Sequence, residues 1–441
     1  MTIKQRIILK GVLYILLLVI VLLSIVLFTI DRVRVVDATS EVEELLSLNF
    51  LLDNDMSELE GTKRFDKTIE AFMRRWEIKG ASFALMRNDS LVYAKGYGYA
   101  SVEDSVLCDV NHVMRVASIS KLITAAAVMK LCEGGWLALD SQVFGEEGVL
   151  SDSIFLDLHS SKQGEITVEH LLRHTAGFST AIGDVAFNNS GVGRTIGKQL
   201  PIGVDDMVVY AAQNRIRTQP GGSYDYSNLG YIVLGKVVEK VSGMPYETYV
   251  RDSILVPSGC YDMYIGRSFK ENQPSNEVSY YETKEAEPVD AYDGSMRQVM
   301  KSRGGNNVQT LSAAGGWVTS SVELLRFVAA INKNSSKPDI LSPQTIDMML
   351  FSDEHTKPIG WSSTDKGVWK RSGSMAGTNA YIKAQADGYT WAFVANSSVW
   401  IGPKISSRTD YAISRAVAAV TQWPSRDLFA VRDSIGDRVL E

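Results

Sequence analysis

Strand-forming runs in this chain lie on either side of a long helical middle, and that spacing limits the folds open to it. Ala81–Arg87 and Leu91–Tyr99 are β-rich runs separated by Asn88-Asp89-Ser90, which predicts a hairpin. Further strand-like runs fall within Val368–Ala384 and Tyr389–Ala395, with Asp387-Gly388 as the turn before the last. Between the two sets come a helical stretch from Ser118 to about Glu133, stopped by Gly134-Gly135, and a second over Ile166–Arg173 with Thr167 as its cap. Val322–Asn332 and Pro343–Phe351 also read as helices. Phe65, Ile69, Phe72 and Trp76 recur at helical spacing ahead of the first hairpin, and Thr409–Val420 carries a helical apolar stripe after the last strand. Such an order implies an antiparallel sheet assembled from both chain ends and flanked by helices, with the middle inserted as a mostly helical lobe. The expected class is α/β plus α, with the site in a cleft between the lobes.

The amino terminus sets the expected location. Lys4, Arg6 and Lys10 precede an uncharged, mostly apolar stretch, Gly11–Ile30. About 20 such residues suffice to cross a bilayer as a helix. The run is longer than a signal-peptide core, and Asp31, Arg32 and Arg34 follow it in place of a small-residue cleavage site. The basic residues ahead of it favour an inside amino terminus. The division expected is a cytoplasmic tip and transmembrane anchor over 1–31, a juxtamembrane linker over 32–61, a catalytic domain over 62–425 with its helical lobe at about 118–310, and a tail over 426–441. The domain would then lie outside the cytoplasm, periplasmic or on the cell surface.

Composition excludes some partners. A net charge of −6 and the lack of a Lys/Arg-rich run in the body leave no electrostatic footprint for nucleic acid. Cys108, Cys132 and Cys260 form no C-x-x-C pattern. Cys132, in an apolar helical run, reads as a buried inert thiol, and a Cys108–Cys260 disulfide is compatible with an oxidising compartment but not established by spacing. His170 and His174 lie four apart on a helix, yet Leu171 stands where a zinc protease needs Glu. No metal or cofactor is expected. No serine stands in a G-x-S-x-G context, so a Ser-His-Asp triad is hard to build from the five histidines.

Ser118 and Lys121 offer another chemistry. Three residues apart at a helix start, they share one face. A serine hydroxyl attacks well only when a base takes its proton, and a lysine serves as that base once burial or a nearby cation lowers its pKa. A second S-x-x-K, Ser363 to Lys366, lies in a polar turn-like stretch with no helix behind it and reads as chance. Tyr226-Ser227-Asn228 follows Pro220-Gly221-Gly222 and precedes an apolar helix. A tyrosine there can relay protons, and Asn228 can hold Lys121 and a substrate carbonyl. Arg371-Ser372-Gly373-Ser374 begins a predicted strand. Its small residues let a substrate lie along the strand edge, the Ser374 N–H can join that of Ser118 in an oxyanion hole, and Arg371 offers a fixed charge to a carboxylate.

The order S-x-x-K, Y-x-N, then a basic residue before S/T-G resembles the family of class C β-lactamases, D-Ala-D-Ala carboxypeptidases and related esterases. Ile166–Gly177, Pro220–Asn228 and Ala314–Ser320 are similar too, and the likeness covers roughly Phe65 to Gln422. It implies a β-lactamase/transpeptidase-like fold in which Ser118 is acylated and Lys121 is the proton acceptor or its partner. Tyr226 would pass protons to the leaving group, Asn228 would position, and water would release the acyl group. The substrate would be a small molecule or peptide: a peptidoglycan-type peptide, a β-lactam or an ester. The family usually has Lys or His where this chain has Arg371, and a guanidinium does not exchange protons at physiological pH. Moving the register to Lys370 would send the side chain to the other sheet face. A catalytically silent module sensing penicillins or cell-wall fragments is the alternative function. Oligomeric state is left open.

Overall fold

The structure, a computed structural model, describes residues 48–181, 183–334 and 338–431. The Gly11–Ile30 anchor expected from sequence lies outside them. Among the described residues no helix is long and apolar enough to cross a membrane.

Helix α1 (Lys63–Arg75) leads into β1 (Gly80–Arg87) and β2 (Ser90–Ser101), with β3 (Val106–Leu107) at the sheet's edge. Asn88 and Asp89 both take positive φ, 46° and 64°. They make the two-residue turn whose twist matches that of the flanking strands. Near the other end come β9 (Trp369–Met375), β10 (Thr378–Ala384) and β11 (Tyr389–Ala395). The strand-like content of Val368–Ala384 is thus two strands, parted at Ala376-Gly377. The six strands order β3-β2-β1-β11-β10-β9, so β1 from one chain end pairs antiparallel with β11 from the other, Phe83 opposite Phe393 and Leu85 opposite Trp391.

Period-two alternation sorts these strands between two cores. Phe83, Leu85, Trp391 and Phe393 meet Phe65, Ile69 and Phe72 of α1 and Ile413 and Val417 of the closing helix on one face. Ala84, Met86, Ala392 and Val394 join the larger core on the other. A one-residue slip would exchange both sets, so each core fixes the register.

The middle of the chain supplies β4 (Met114–Arg115) and α2 (Ser120–Glu133), then the lobe helices α3 (Ser161–Gly164), α4 (Val168–Leu172), α5 (Asn189–Ile196), α6 (Val204–Gln213), α7 (Asn228–Ser242) and α8 (Tyr246–Val250). Short strands β5 (Tyr264–Ile265), β6 (Val289–Asp290) and β7 (Gln298–Val299) follow, and β8 (Trp317–Thr319) joins β4 and β5 in a small sheet. Helices α9 (Ser321–Ala329) and α10 (Pro343–Leu350) precede β9, and α11 (Ile405–Ala418) closes the fold. Helix α2 is buried on every side from Ser120 to Met129. A helix without a polar face belongs at the centre of a core.

Four readings from the sequence change. Helix α2 opens at Ser120, not Ser118: a 3₁₀ turn, Ala117–Ile119, precedes it, with Ala117 at φ 47°. The cysteines are free, and Cys132 is only half-buried because the end of α2 reaches the surface. Residues 48–61, read as linker, pack on the body: Asn49 is fully buried and donates to Asp262 at 3.0 Å, and Asn54 accepts from the Gly96 N–H at 2.7 Å. Short polar residues there satisfy edge backbone that would otherwise be unpaired. The start of the tail packs likewise, with Arg426 donating to the Met56 carbonyl at 2.6 Å.

Candidate active site

Between Val113 and Met129 every residue is buried except Ser118. The tight turn that raises it is held from below by β9. A Cβ added to Gly373 would sit 2.1 Å from the Val116 carbonyl oxygen and 2.9 Å from the Ser118 nitrogen. Glycine is required there so that strand and turn can touch.

Ser118 Oγ lies 2.7 Å from the Tyr226 hydroxyl and 3.3 Å from Lys121 Nζ. Lys121 is fully buried, and its Nζ donates to Asn228 Oδ1 at 2.5 Å and to the Ala314 carbonyl at 2.6 Å. Two acceptors occupy two N–H bonds. A neutral amine so held has one remaining position, its lone pair, toward Ser118 Oγ. Burial, reinforced by the Arg371 charge, pushes Lys121 below the usual lysine range.

Burial alone would raise Tyr226. The charges of Lys121 and Arg371, with hydrogen bonds to Lys121 and Ser118, outweigh it and bring the phenol below its usual value. Lys121 and Tyr226 each favour the charged form of the other beside the serine. Asn228 opens α7, and the N-cap Ser227 accepts from the Gly230 N–H. That cap aims the first turn of the helix at Lys121.

Arg371 is buried with 4% exposure and turns inward. Its Nε donates to the Ser118 carbonyl at 2.8 Å, while Nη2 is buried without a partner. Lys370 points to the opposite face and pairs with Asp410 of α11 at 2.8 Å. Lys370 also exchanges backbone bonds with Ser363 across the outer edge of β9. Alternation in the ladder therefore turns the N–H and C=O of Ser372 and Ser374 outward as well. Their side chains share the face of Lys370, so backbone is what they bring toward the cleft.

The structure thus gathers Lys121 and Tyr226 at Ser118 Oγ, Arg371 at the Ser118 carbonyl and Asn228 behind Lys121, with Gly373 packed beneath. The other S-x-x-K stands apart: Ser363 bonds Asp365 at 2.8 Å and Lys366 is exposed in a turn at φ 53°. Three neighbours had no part in the site as read from sequence. Asp184 accepts from Asn228 Nδ2 at 2.5 Å, which fixes Oδ1 toward Lys121. The Ala314 carbonyl carries no side-chain signal, although its segment was singled out. His174 packs its ring 4.6 Å from that of Tyr226 and accepts the Ser227 N–H at 3.2 Å. Its burial, with the Lys121 and Arg371 charges, pushes it well below the usual histidine value, so it is neutral. His170 instead accepts the Thr167 N–H at 3.2 Å in the cap of α4.

Known proteins share this architecture. The octameric penicillin-binding protein homologue from Pyrococcus abyssi superposes with a TM-score of 0.60 at 24% identity, over 85% of this chain and 81% of its own. The D-amino acid amidase from Ochrobactrum anthropi SV3 does so with a TM-score of 0.63 at 18% identity, over 82% of this chain and 99% of its own. At these identities the likeness is one of fold. In sequence, Protein flp of Staphylococcus aureus strain N315 is 26% identical over 233 residues, 52% of this chain and 42% of that protein. The chain therefore spans less than half the length of that relative. The Beta-lactamase family model covers residues 65–434, which take in every side chain of the cluster, and the chain belongs to that family.

Proposed function

We propose that the protein is a membrane-anchored, extracytoplasmic serine hydrolase that cleaves an amide or ester through an acyl-serine intermediate. The observation that carries this reading is the double contact at Ser118 Oγ, 2.7 Å from the Tyr226 hydroxyl and 3.3 Å from Lys121 Nζ. The Lys121–Tyr226 unit takes the Ser118 proton as Oγ attacks the acyl carbon. The carbonyl oxygen becomes an anion between the N–H groups of Ser118 and Ser374. Tyr226 passes the proton to the departing nitrogen or oxygen as that bond breaks. Water, deprotonated by the same pair, then attacks the acyl carbon and returns Ser118. Asn228 holds Lys121, and the buried Arg371 supplies fixed positive charge beside the cleft. Peptidoglycan-type peptides, β-lactams and small esters all suit this machinery.

The anchor rests on Gly11–Ile30 and the basic residues before it. Sequencing the amino terminus of the membrane-extracted protein should find it upstream of Gly11, and a mature terminus beyond Ile30 contradicts the anchor. For the chemistry, the test is fluorophosphonate labelling followed by peptide mapping. The adduct is expected on Ser118 within the peptide Val116–Lys121, and an adduct confined to any other residue contradicts the reading. Stoichiometric labelling with no turnover of any ester, amide or penicillin would instead favour a sensor.

A further inference from the structure

Basic side chains line the grooves on the outer face of α1 and α11. Two adjoining grooves there, of about 550 and 630 Å³, share Arg75, Trp76 and Arg408. Arg64 and Arg415 line the first and Lys404 the second, and no acidic side chain lines either. The acids nearby have partners of their own. Asp66 accepts from Tyr93 and Tyr97 at 2.6 and 2.7 Å, and Asp410 accepts from Lys370 and Lys383 at 2.8 Å each. Glu70 pairs with Arg74 at 3.7 Å and Glu77 with Lys284 at 3.3 Å. Arg64, Arg75, Arg408 and Arg415 are exposed, and among the described residues none of the four has a carboxylate partner. In a chain of net charge −6 this concentration is a local reversal of sign.

Aromatic exposure coincides with it. Trp400 is 70% exposed and Tyr411 63%. Trp400 sits on the loop before α11, beside half-buried Ile401 and exposed Pro403, and leads directly to Lys404 and Arg408. Arg408, Tyr411 and Arg415 follow at helical spacing along one side of α11. Trp and Tyr rings with an apolar body and a polar edge settle at the headgroup level of a bilayer, and neighbouring Arg and Lys attract anionic headgroups. A soluble polyanion would use the charges but gives no reason for an exposed Trp-Ile-Gly-Pro loop.

We propose that this face docks on an anionic phospholipid bilayer, with Trp400 and Tyr411 at headgroup depth and Arg64, Arg75, Lys404, Arg408 and Arg415 against lipid phosphates. The proposal is independent of the chemistry at Ser118. All eight tryptophans fall between Trp76 and Trp423, so none lies in Gly11–Ile30 and tryptophan emission reports on the body of the protein alone. The full chain is reconstituted into vesicles of brominated phosphatidylglycerol, and quenching is compared with brominated phosphatidylcholine. Quenching is expected in the anionic vesicles, to fall at least twofold in Trp400→Ser, and to be unchanged in Trp136→Ser, which removes a 75% exposed tryptophan from another surface. Arg75→Glu with Arg408→Glu and Arg415→Glu should reduce it at least fivefold, and raising salt should weaken it. Fluorophosphonate labelling of Ser118 verifies that each variant is folded, and loss of labelling in the wild type would bear on the hydrolase reading alone. Equal quenching in both lipids, no effect of Trp400→Ser, or displacement by soluble polyphosphate at concentrations matching lipid phosphate overturns the assignment.

Discussion

Arg371 donates its Nε–H to the carbonyl oxygen of Ser118 at 2.8 Å, so the cation of the edge strand grips the backbone of the nucleophile itself. One bond couples β9, contributed by the far end of the chain, to the turn that presents Ser118. Removing it should loosen the turn and also take a positive charge from beside Lys121 and Tyr226.

For Arg371→Ala the sign follows from that charge. The guanidinium helps hold Lys121 below its usual pKa, so its loss raises Lys121 and moves the low-pH limb of acylation to higher pH. A hydrogen bond from a charged group is worth about 1.5–3 kcal/mol, roughly a 10- to 150-fold loss in kcat/KM. A carboxylate-bearing substrate should lose more than its neutral ester, because the fixed guanidinium charge beside the cleft attracts an anion. Arg371→Lys should keep the limb near its wild-type position. A pH profile with the matched acid and ester checks both effects, and an unmoved limb in Arg371→Ala would exclude the electrostatic role.

Asp184→Asn should act with the opposite sign. The Asp184 charge favours protonated Lys121, so neutralising it lowers Lys121 and moves the same limb to lower pH. Asn228 also loses a charged acceptor, and acylation should fall about tenfold, on the order of 1–2 kcal/mol. Measuring the two variants side by side is informative because a general loss of order would move both limbs the same way.

Gly373→Ala tests the contact beneath the turn. The new methyl would press on the Val116 carbonyl and the Ser118 nitrogen, neither of which belongs to a flexible side chain. Overpacking of this kind costs about 1–3 kcal/mol of stability. Labelling of Ser118 should fall more than a hundredfold while the thermal transition remains cooperative. Undiminished labelling would mean that strand and turn can separate freely.

His174 links pH to stability. Its folded pKa lies well below 6.5, so the unfolded chain binds a proton that the folded chain refuses. That contribution is fully present above about pH 6.5 and is lost as pH falls through and below that value, by up to about 1.4 kcal/mol per pH unit. Melting temperatures from pH 7.5 to 5 should therefore fall more steeply for wild type than for His174→Gln. Parallel curves would show that His174 takes a proton as easily folded as unfolded.

Much of this architecture was legible because it is periodic. The alternation in β1 and the four apolar positions of α1 are local signals, and Asn88-Asp89 and Gly388 mark turns that demand positive φ. Ser118, Lys121, Tyr226 and Asn228 announced themselves through spacing. What escaped was set by tertiary approach. Nothing local distinguishes Asp184 from any capping aspartate, and a backbone carbonyl such as that of Ala314 has no residue type. The grip of Arg371 on the Ser118 carbonyl depends on the close approach of strand and turn at Gly373, which no local pattern shows. The basic face was hidden for a related reason: Arg64, Arg75, Arg408 and Arg415 come from two helices more than 300 residues apart in sequence, so no run of charge betrays them.

The most direct measurement is the intact mass of the protein quenched during turnover of a slow penicillin or activated ester, in wild type, Ser118→Ala and Ser363→Ala. Wild type and Ser363→Ala should each gain one acyl group, and Ser118→Ala should gain none. Lys121→Ala should form the adduct at least a hundredfold more slowly, as expected for a lost general base. An acyl adduct that persists in Ser118→Ala, or one that disappears in Ser363→Ala, would contradict the assignment of Ser118 as the nucleophile.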